Sequence, residues 1–132
     1  PYYVVNHLLE AMNASGRSLR GARVLVLGVA YKPGISDDRE SPSYDIMDLL
    51  SAKGAEVEYY DPHVMRIGPG RNHWSGHHSI PWSDHELKTF DAAIVCTPHR
   101  EVKYRELADC VPLVVDTCHV VPRDNHAKVV AA

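Results

Sequence analysis

Charged side chains concentrate in one stretch of this sequence, GVAYKPGISDDRESPS at residues 28–43. It directly follows the apolar run 24–27, which is typical of a buried strand. Lys32 stands near the strand exit, Arg39 lies just ahead of the next helix, and Ser41 is placed to cap that helix. An ammonium, a forked guanidinium and the free N–H groups of a helix N-terminus all bind phosphate oxygens. The stretch is therefore a candidate anion site.

The same stretch also fits a simpler interpretation. Three carboxylates surround Arg39: Asp37, Asp38 and Glu40. Runs of charge are usually solvated, so these side chains can neutralise one another at a surface. The dinucleotide motif GxGxxG does not apply, because Gly28 is followed by none of the further glycines that the motif needs. Charge alone leaves phosphate binding and a solvated surface as two open interpretations.

Hydrophobic periodicity places these residues between alternating strands and helices. The predicted helices are 2–14, one that starts with Ser41 as N-cap and Pro42 in first position, 83–87 and 101–108. The predicted strands are 23–28, 56–60, 91–96 and 113–115. Residues 63–80 are predicted as loop with a short strand near 79–80, and the chain beyond Val121 is left unassigned. This alternation predicts an α/β fold: a Rossmann-like three-layer sandwich with a mostly parallel sheet, preceded by an N-terminal linker helix.

Parallel strands end at a common edge of the sheet, and ligands bind there where the strand order reverses. Three loops are therefore predicted to be neighbours: the charged stretch, TPHRE after the third strand and DTCHV after the fourth. They bring three further side chains to a predicted cleft: His99, Cys118 and His119.

Other reactive side chains form no recognisable site. Four histidines lie close together in the sequence: His73, His77, His78 and His85. Neither a cysteine nor a carboxylate completes a metal-ligand set with suitable spacing, so we predict a surface loop and no metal site. Cys96 is interpreted as a buried core thiol. No Ser or Cys is placed beside a base as a nucleophile, so no catalytic residue is assigned in this chain.

Composition bounds the class of protein. The 132 residues suffice for one core, and 45% hydrophobic with 23% charged residues is typical of a globular domain. A net charge of −3 gives no basic field, so neither nucleic acid nor a membrane is expected as a partner. Three cysteines without CxxC spacing favour free thiols in a reducing compartment, and we predict a cytoplasmic protein.

Three motifs carry a resemblance to a known family. They are GVAYK at 28–32, DDRESP at 37–42 and GAEVEYYDP at 54–62, and FDAAIVCTPH and VPLVVDT stand where that family has its last two strands. The sequence resembles the C-terminal, UDP-binding domain of the UDP-glucose/GDP-mannose dehydrogenase family. Within that family, the sequence is most similar to UDP-N-acetylhexosamine 6-dehydrogenases, and UDP-glucose dehydrogenases are the second possibility. The resemblance covers nearly the whole chain and is weakest over 63–82.

The resemblance implies an enzyme longer than this chain, with an N-terminal NAD-binding domain and a central helical domain that forms homodimers. Residues 1–16 would be a helix continuing from the central domain, and 17–132 the nucleotide-sugar-binding domain. Such enzymes oxidise the C6 alcohol of a UDP-sugar to a carboxylate in two NAD-dependent steps, through a thioester on a Cys outside this chain. The product serves cell-surface polysaccharide biosynthesis. The isolated chain is expected to be inactive and to bind nucleotide weakly or not at all.

The resemblance also implies roles for individual residues. Lys32 would contact the nucleotide sugar, Tyr31 would lie beside it, and Arg39 would reach the cofactor held by the other domain. We further hypothesise that Asp37 and Asp38 hold Arg39 in place until the cofactor arrives.

One departure from the family concerns the end of the fourth strand. Relatives usually have Asp, then Thr or Gly, then an Arg that contacts the nucleotide sugar or a neighbouring subunit. Here the stretch is Asp116-Thr117-Cys118-His119, so the guanidinium is missing. His119 would supply only a pH-dependent charge.

A second class of function is a non-catalytic, receiver-like α/β interaction module. A receiver needs clustered carboxylates at strand ends to hold Mg²⁺. Asp61 and Asp116 are candidates, but Gly28-Val29 stands where an acidic pair after the first strand would be needed. The receiver-like module is therefore the alternative to the dehydrogenase domain.

Overall fold

The chain forms a parallel sheet with helices on both faces. The computed structural model describes residues 1–30, 32–38 and 41–132. Its helices are α1 (Tyr2–Ala14), α2 (Ser43–Ala52), α3 (Asp84–Leu87) and α4 (Tyr104–Cys110), with a short 3-10 turn at Asn72–Trp74. Its strands are β1 (Arg23–Leu27), β2 (Glu56–Tyr60), β3 (Ala92–Val95), β4 (Leu113–Asp116) and β5 (Lys128–Ala131).

The order of strands across the sheet is β2-β1-β3-β4-β5, and every neighbouring pair is parallel. The chain leaves β1 for β2 on one side and then crosses back to β3 on the other. The strand order therefore reverses between β1 and β3, which is where a sheet of this kind opens a crevice at its carboxyl edge. The loops after β1 and β3 flank that crevice.

Successive residues of a strand point to opposite faces, and the core divides accordingly. Val24 and Val26 of β1 pack with α1 and α2, whereas Leu25 and Leu27 pack with residues of α4 on the other face. All four side chains are fully buried. The two cores confirm the predicted three-layer α/β sandwich.

Helix α1 is built into the first of these cores. Val5, Leu8 and Met12 recur at helical spacing and are at most 1% exposed. The helix packs against α2 and β4. No helix among the described residues is long and apolar enough to cross a membrane.

Several predicted boundaries were wrong. Helix α2 begins at Ser43, two residues after Ser41, although the Ser41 hydroxyl still accepts the Ser43 N–H at 3.3 Å. Helix α4 begins at Tyr104 instead of 101, because a turn that places His99 occupies the preceding residues.

Two errors concern sheet pairing. The predicted strand at 79–80 is not a strand; an isolated bridge joins Arg66 to His78 instead. Strand β5, left unassigned from the sequence, is a short and half-exposed edge strand whose pairing with β4 is not visible in local periodicity.

The burial of α1 predicts the effect of truncating Leu8. Leu8→Ala should lower the free energy of unfolding by about 2–5 kcal/mol, because the removed methyl groups leave a cavity in a close-packed core. Urea denaturation measures this change. Glu10→Ala, at an exposed position of the same helix, is the control and should change stability little. Equal effects of the two substitutions would contradict the packing of α1 against the sheet.

Candidate functional site

A buried carboxylate, Asp61, lies at the carboxyl edge of the sheet, where three loops meet. It follows β2 directly and is 0% exposed. Its Oδ2 accepts the backbone N–H groups of Val29 and Ala30, each at 2.9 Å, and lies 3.0 Å from His99 Nε2. Its Oδ1 accepts the N–H of His63 at 2.8 Å. A buried carboxylate is stable only when such donors replace its lost water, so Asp61 joins the loops after β1, β2 and β3.

His99 connects two of these loops through both ring nitrogens. The backbone N–H of Gly34 donates to His99 Nδ1 at 3.0 Å. Because a backbone N–H can only donate, Nδ1 carries no proton, and we assign the neutral tautomer with the proton on Nε2, directed at Asp61. The ring is 0% exposed. His99 therefore lies beneath the surface and anchors a loop, where the sequence had suggested a side chain facing an open cleft.

Close backbone packing fixes the start of the β1–α2 loop (residues 28–42). The buried Thr97 hydroxyl donates to Ala30 O at 2.8 Å, and the Ser43 hydroxyl donates to Gly28 O at 2.7 Å. Gly28 has a φ of +91°, and a Cβ placed on it would lie 2.4 Å from Thr97 Cβ. A side chain at this position would strain the backbone and collide with the loop after β3, so only glycine fits.

Lys32 lies in the middle of this anchored loop, and its side chain is exposed. Two residues before it, the amide of Ala30 is bound to Asp61; two residues after it, the amide of Gly34 is bound to His99. The loop therefore presents Lys32 at the carboxyl edge, beside the point where strand order reverses. Tyr31 and Arg39, the other two residues expected at the site, lie outside the described residues.

The loop after β4 meets the end of β3, as the topology predicted. Thr117 Oγ1 donates to Val95 O at 2.6 Å, and Cys118 Sγ lies 3.7 Å from Cys96 O. His119 is exposed, with a φ of 59°. Cys118 and His119 thus lie at the carboxyl edge beside β3, whereas His99 and Lys32 lie with the β1 loop.

Neither of these two cysteines is poised as a nucleophile. Burial raises the pKa of the Cys96 thiol to about 12 and also raises the pKa of the half-buried Cys118 thiol. The thiolate is the reactive form, so both groups are protonated and weakly reactive at neutral pH. This agrees with the interpretation of Cys96 as a core thiol.

A recess of about 300 Å³ opens beside the end of β2 and the loop that follows β3. Its walls come from Tyr60, Trp82, Glu101 and Lys103. The Tyr60 and Trp82 rings pack with their centroids 4.7 Å apart. Aromatic and charged groups thus line the sheet edge beside Asp61.

One group of potential metal ligands occurs among the described residues: His63, His99 and Glu101, whose ligand atoms lie within 4.8 Å of one another. Both nitrogens of His99 are already engaged with Gly34 and Asp61. His63 Nε2 lies 2.5 Å from Glu101 Oε2, and its ring packs on His99 at 4.7 Å. The Glu101 backbone N–H and the His63 imidazole lower the pKa of Glu101. The arrangement links two loops and leaves His99 no free lone pair for an ion.

The four histidines singled out in the sequence do not form that group. The His73 ring packs on Trp74 at 4.2 Å, and His77 Nδ1 lies 3.2 Å from Trp74 O. His78 takes part in the bridge to Arg66. The absence of a metal from this chain stays a prediction.

The carboxylates that a receiver would use for Mg²⁺ are already occupied. The oxygens of Asp61 accept the donors described above. Asp116, 1% exposed, accepts the N–H of Cys118 at 3.1 Å and that of Val121 at 2.8 Å. N–H groups in these positions compete directly with a cation, so the geometry argues against the receiver-like alternative.

Sequence reasoning missed the roles of Asp61, His99 and Thr97 as loop anchors. The signal was present, because Asp61 and Thr97 each come just after a predicted strand. Their function became visible only when the strands were placed side by side.

Comparisons with known proteins point to one family of enzymes. The profile of the UDP-glucose/GDP-mannose dehydrogenase family, UDP binding domain, matches residues 25–123. A UDP-N-acetyl-D-mannosamine dehydrogenase of Methanococcus maripaludis is 36% identical over 129 residues, covering 92% of this chain and 28% of the relative. A UDP-glucose 6-dehydrogenase of Bacillus subtilis is 33% identical over 107 residues, covering 80% of this chain and 22% of the relative. The chain thus spans about a quarter of these relatives.

The fold has a solved counterpart. The structure of a UDP-D-ManNAc dehydrogenase from Pyrococcus horikoshii superposes with a TM-score of 0.78 and 20% sequence identity. The superposition covers 99% of this chain and 30% of the other. Similarity at this identity supports the α/β fold.

The close approach at Gly28 predicts a steric penalty. Gly28→Ala should destabilise the chain by about 1–3 kcal/mol more than Gly34→Ala. Both glycines have positive φ, but a Cβ at Gly34 would meet nothing within 4 Å. The difference between the two unfolding free energies therefore isolates the contact with Thr97. Equal losses of stability would show that the two loops are not packed as described.

The donors around Asp61 predict a graded loss of stability. Asp61→Ala leaves buried N–H groups without an acceptor and should cost at least about 3 kcal/mol of unfolding free energy. Asp61→Asn keeps one acceptor oxygen and should cost less than Asp61→Ala. Thermal and urea unfolding measure both. A stability close to that of the unsubstituted chain for Asp61→Ala would refute the anchoring role.

Proposed function

This chain belongs to the UDP-glucose/GDP-mannose dehydrogenase family as its UDP-binding domain, and on that premise we propose its function in the full-length protein. It is the nucleotide-sugar-binding domain of an NAD-dependent UDP-sugar 6-dehydrogenase. The enzyme oxidises the C6 alcohol of the sugar to a carboxylate. The catalytic Cys lies outside this chain.

The observation that carries this proposal is the placement of Lys32. The exposed Lys32 stands between two anchored backbone amides, those of Ala30 and Gly34, at the crevice beside β1 and β3. An anchored loop loses little conformational freedom when a ligand binds, so the charge is preorganised for an anionic ligand. A lysine is a common phosphate-binding point charge. We therefore propose that Lys32 contacts the nucleotide sugar; the family resemblance supports a place for Tyr31 beside it.

This chain's own β1 loop does not fit the pyrophosphate of a dinucleotide. In dinucleotide-binding folds, the amides after the first strand receive the pyrophosphate. Here the amides of Val29 and Ala30 are taken by the carboxylate of Asp61. NAD is accordingly assigned mainly to an N-terminal domain outside this chain, with Arg39 reaching across to it.

The names of the relatives limit the range of substrates that we consider. They include dehydrogenases named for UDP-N-acetyl-D-mannosamine, UDP-glucose and UDP-N-acetyl-D-glucosamine. We assign one of these three UDP-sugars to the full-length protein. Its partners are the N-terminal and central domains of the same protein and a second copy in a homodimer. It acts in the cytoplasm in the synthesis of cell-surface polysaccharide.

The direct test is an activity assay on the full-length protein. Each of the three UDP-sugars is supplied with NAD, and NADH formation is followed by absorbance. Oxidation of an alcohol to a carboxylate removes four electrons, so two NADH should form per sugar oxidised. Absence of NADH formation with all three sugars would overturn the proposed activity.

Substitution of the two cations should separate substrate from cofactor binding. Lys32→Ala should raise the KM for the UDP-sugar, and Arg39→Ala should mainly raise the KM for NAD. Loss of a charged phosphate contact costs ~2–3 kcal/mol, which corresponds to a change of roughly 30- to 150-fold. Steady-state kinetics of the full-length protein measures both.

Two exposed cations provide matched controls for these substitutions. Lys53 follows α2 at the opposite edge of the sheet, and Arg105 lies on α4. Lys53→Ala and Arg105→Ala should leave both KM values near those of the unsubstituted enzyme. Unchanged kinetics in Lys32→Ala and Arg39→Ala would refute the assigned roles.

A further inference from the structure

The segment 63–80, which has no sequence periodicity, is firmly attached to the core. Trp74 is 5% exposed, and its Nε1 donates to Asp48 Oδ1 of α2 at 2.6 Å. The hydroxyl of Tyr59 donates to Val64 O at 2.8 Å. Ile67 is 1% exposed. The segment therefore forms a fixed platform beside α2.

Arg71 extends from this platform to the β1–α2 loop. Its backbone N–H donates to Ser75 Oγ at 3.0 Å, which fixes the main chain at its base. Its Nη2 donates to the backbone oxygen of Asp38 at 3.1 Å and lies 3.7 Å from the Asp38 carboxylate. The guanidinium carbon also lies 5.0 Å from the centre of the Tyr44 ring. One side chain thus contacts both the main chain and the carboxylate of Asp38.

Tyr44 holds the same aspartate from the side of α2. Its hydroxyl donates to Asp38 Oδ2. Burial, together with the hydrogen bond to Asp38, raises the pKa of Tyr44, so the hydroxyl stays protonated and remains a donor at physiological pH. The Asp38 carboxylate accepts this bond while it pairs with Arg71.

The pairing of Arg71 with Asp38 is partly shielded from water. The side chains are 26% and 21% exposed, respectively. Exposed ion pairs are weak because solvent screens them and two long side chains lose entropy. Here the aromatic ring beneath the guanidinium restricts it, and the backbone contact adds a charge-assisted hydrogen bond. These contacts favour one position of Asp38.

We infer that Arg71 and Tyr44 are positioning residues that fix Asp38, the residue directly before Arg39 in the sequence. Loss of these contacts should loosen the end of the loop at Asp38 and so weaken the proposed contribution of Arg39 to NAD binding. The Asp38 carboxylate, expected from the sequence to hold Arg39, is bound by these two side chains. The inference rests on the proposed function only for its kinetic readout.

The kinetic test uses the full-length enzyme with Arg71→Met, which removes the guanidinium but keeps an unbranched apolar stem. The KM for NAD should rise by roughly fivefold, less than for Arg39→Ala, because the substitution removes a support of Asp38 and leaves the Arg39 guanidinium in the protein. The KM for the UDP-sugar should stay within about twofold, because the anchors beside Lys32 are untouched. Arg71→Lys should recover part of the NAD affinity, since it retains the charge. A general loss of folding would change both KM values or kcat, which distinguishes it from positioning.

A second measurement does not depend on catalysis. Hydrogen–deuterium exchange of peptides covering 32–42 should be faster in Arg71→Met and in Tyr44→Phe than in the unsubstituted protein. The control is Arg105→Met, which removes a guanidinium paired with Asp124 at 3.6 Å on the exposed surface of α4. Exchange over 32–42 should not change in that control.

The outcomes separate the inference from the proposed function. If Arg39→Ala raises the KM for NAD and Arg71→Met does not, the positioning role is overturned. If Arg39→Ala leaves the KM for NAD unchanged, the proposed cofactor role of Arg39 is refuted. The hydrogen–deuterium exchange measurement then tests the positioning role by itself. Faster exchange over 32–42 in Arg71→Met then supports positioning, and unchanged exchange overturns it.

Discussion

The carboxyl edge of this domain depends on the hydrogen bonds that the buried carboxylate of Asp61 accepts. A carboxylate removed from water needs hydrogen-bond donors, and an interior position leaves few ways to supply them. Here the donors are two backbone amides of the β1 loop, a backbone amide after β2 and the imidazole of His99. Satisfying one buried charge therefore requires three separate loops to meet.

The β1–α2 loop is held near both of its ends. At its start, Asp61, His99 and Thr97 bind the main chain at Val29, Ala30 and Gly34. Near its far end, Arg71 and Tyr44 hold Asp38. Between these attachments stands the exposed Lys32. A stretch whose charges suggest a solvated surface is thus attached to the core on both sides of Lys32, and this attachment is the basis of the proposed binding of an anionic ligand at low entropic cost.

The same interaction explains how a Rossmann-like sheet can serve a role other than holding a dinucleotide. The backbone amides after β1 retain the orientation that attracts an anion. In this chain the anion is supplied internally, by Asp61. The carboxylate occupies the position in which a phosphate would otherwise accept these amides. The proposed ligand contacts are therefore side chains on the surface of the loop.

The layers of the fold follow from the sequence alone, because apolar runs and a helical period of 3.6 residues are local properties. The sequence also indicated the β1–α2 loop as the site, since Lys32 and the surrounding motif stand next to a buried strand. Strand β5 was missed because its pairing with β4 is a contact between distant segments of the chain. The anchoring roles of His99 and Arg71 were decided only by the tertiary structure. Each acts through a hydrogen bond to a residue more than 30 positions away, and no local pattern records such a partner.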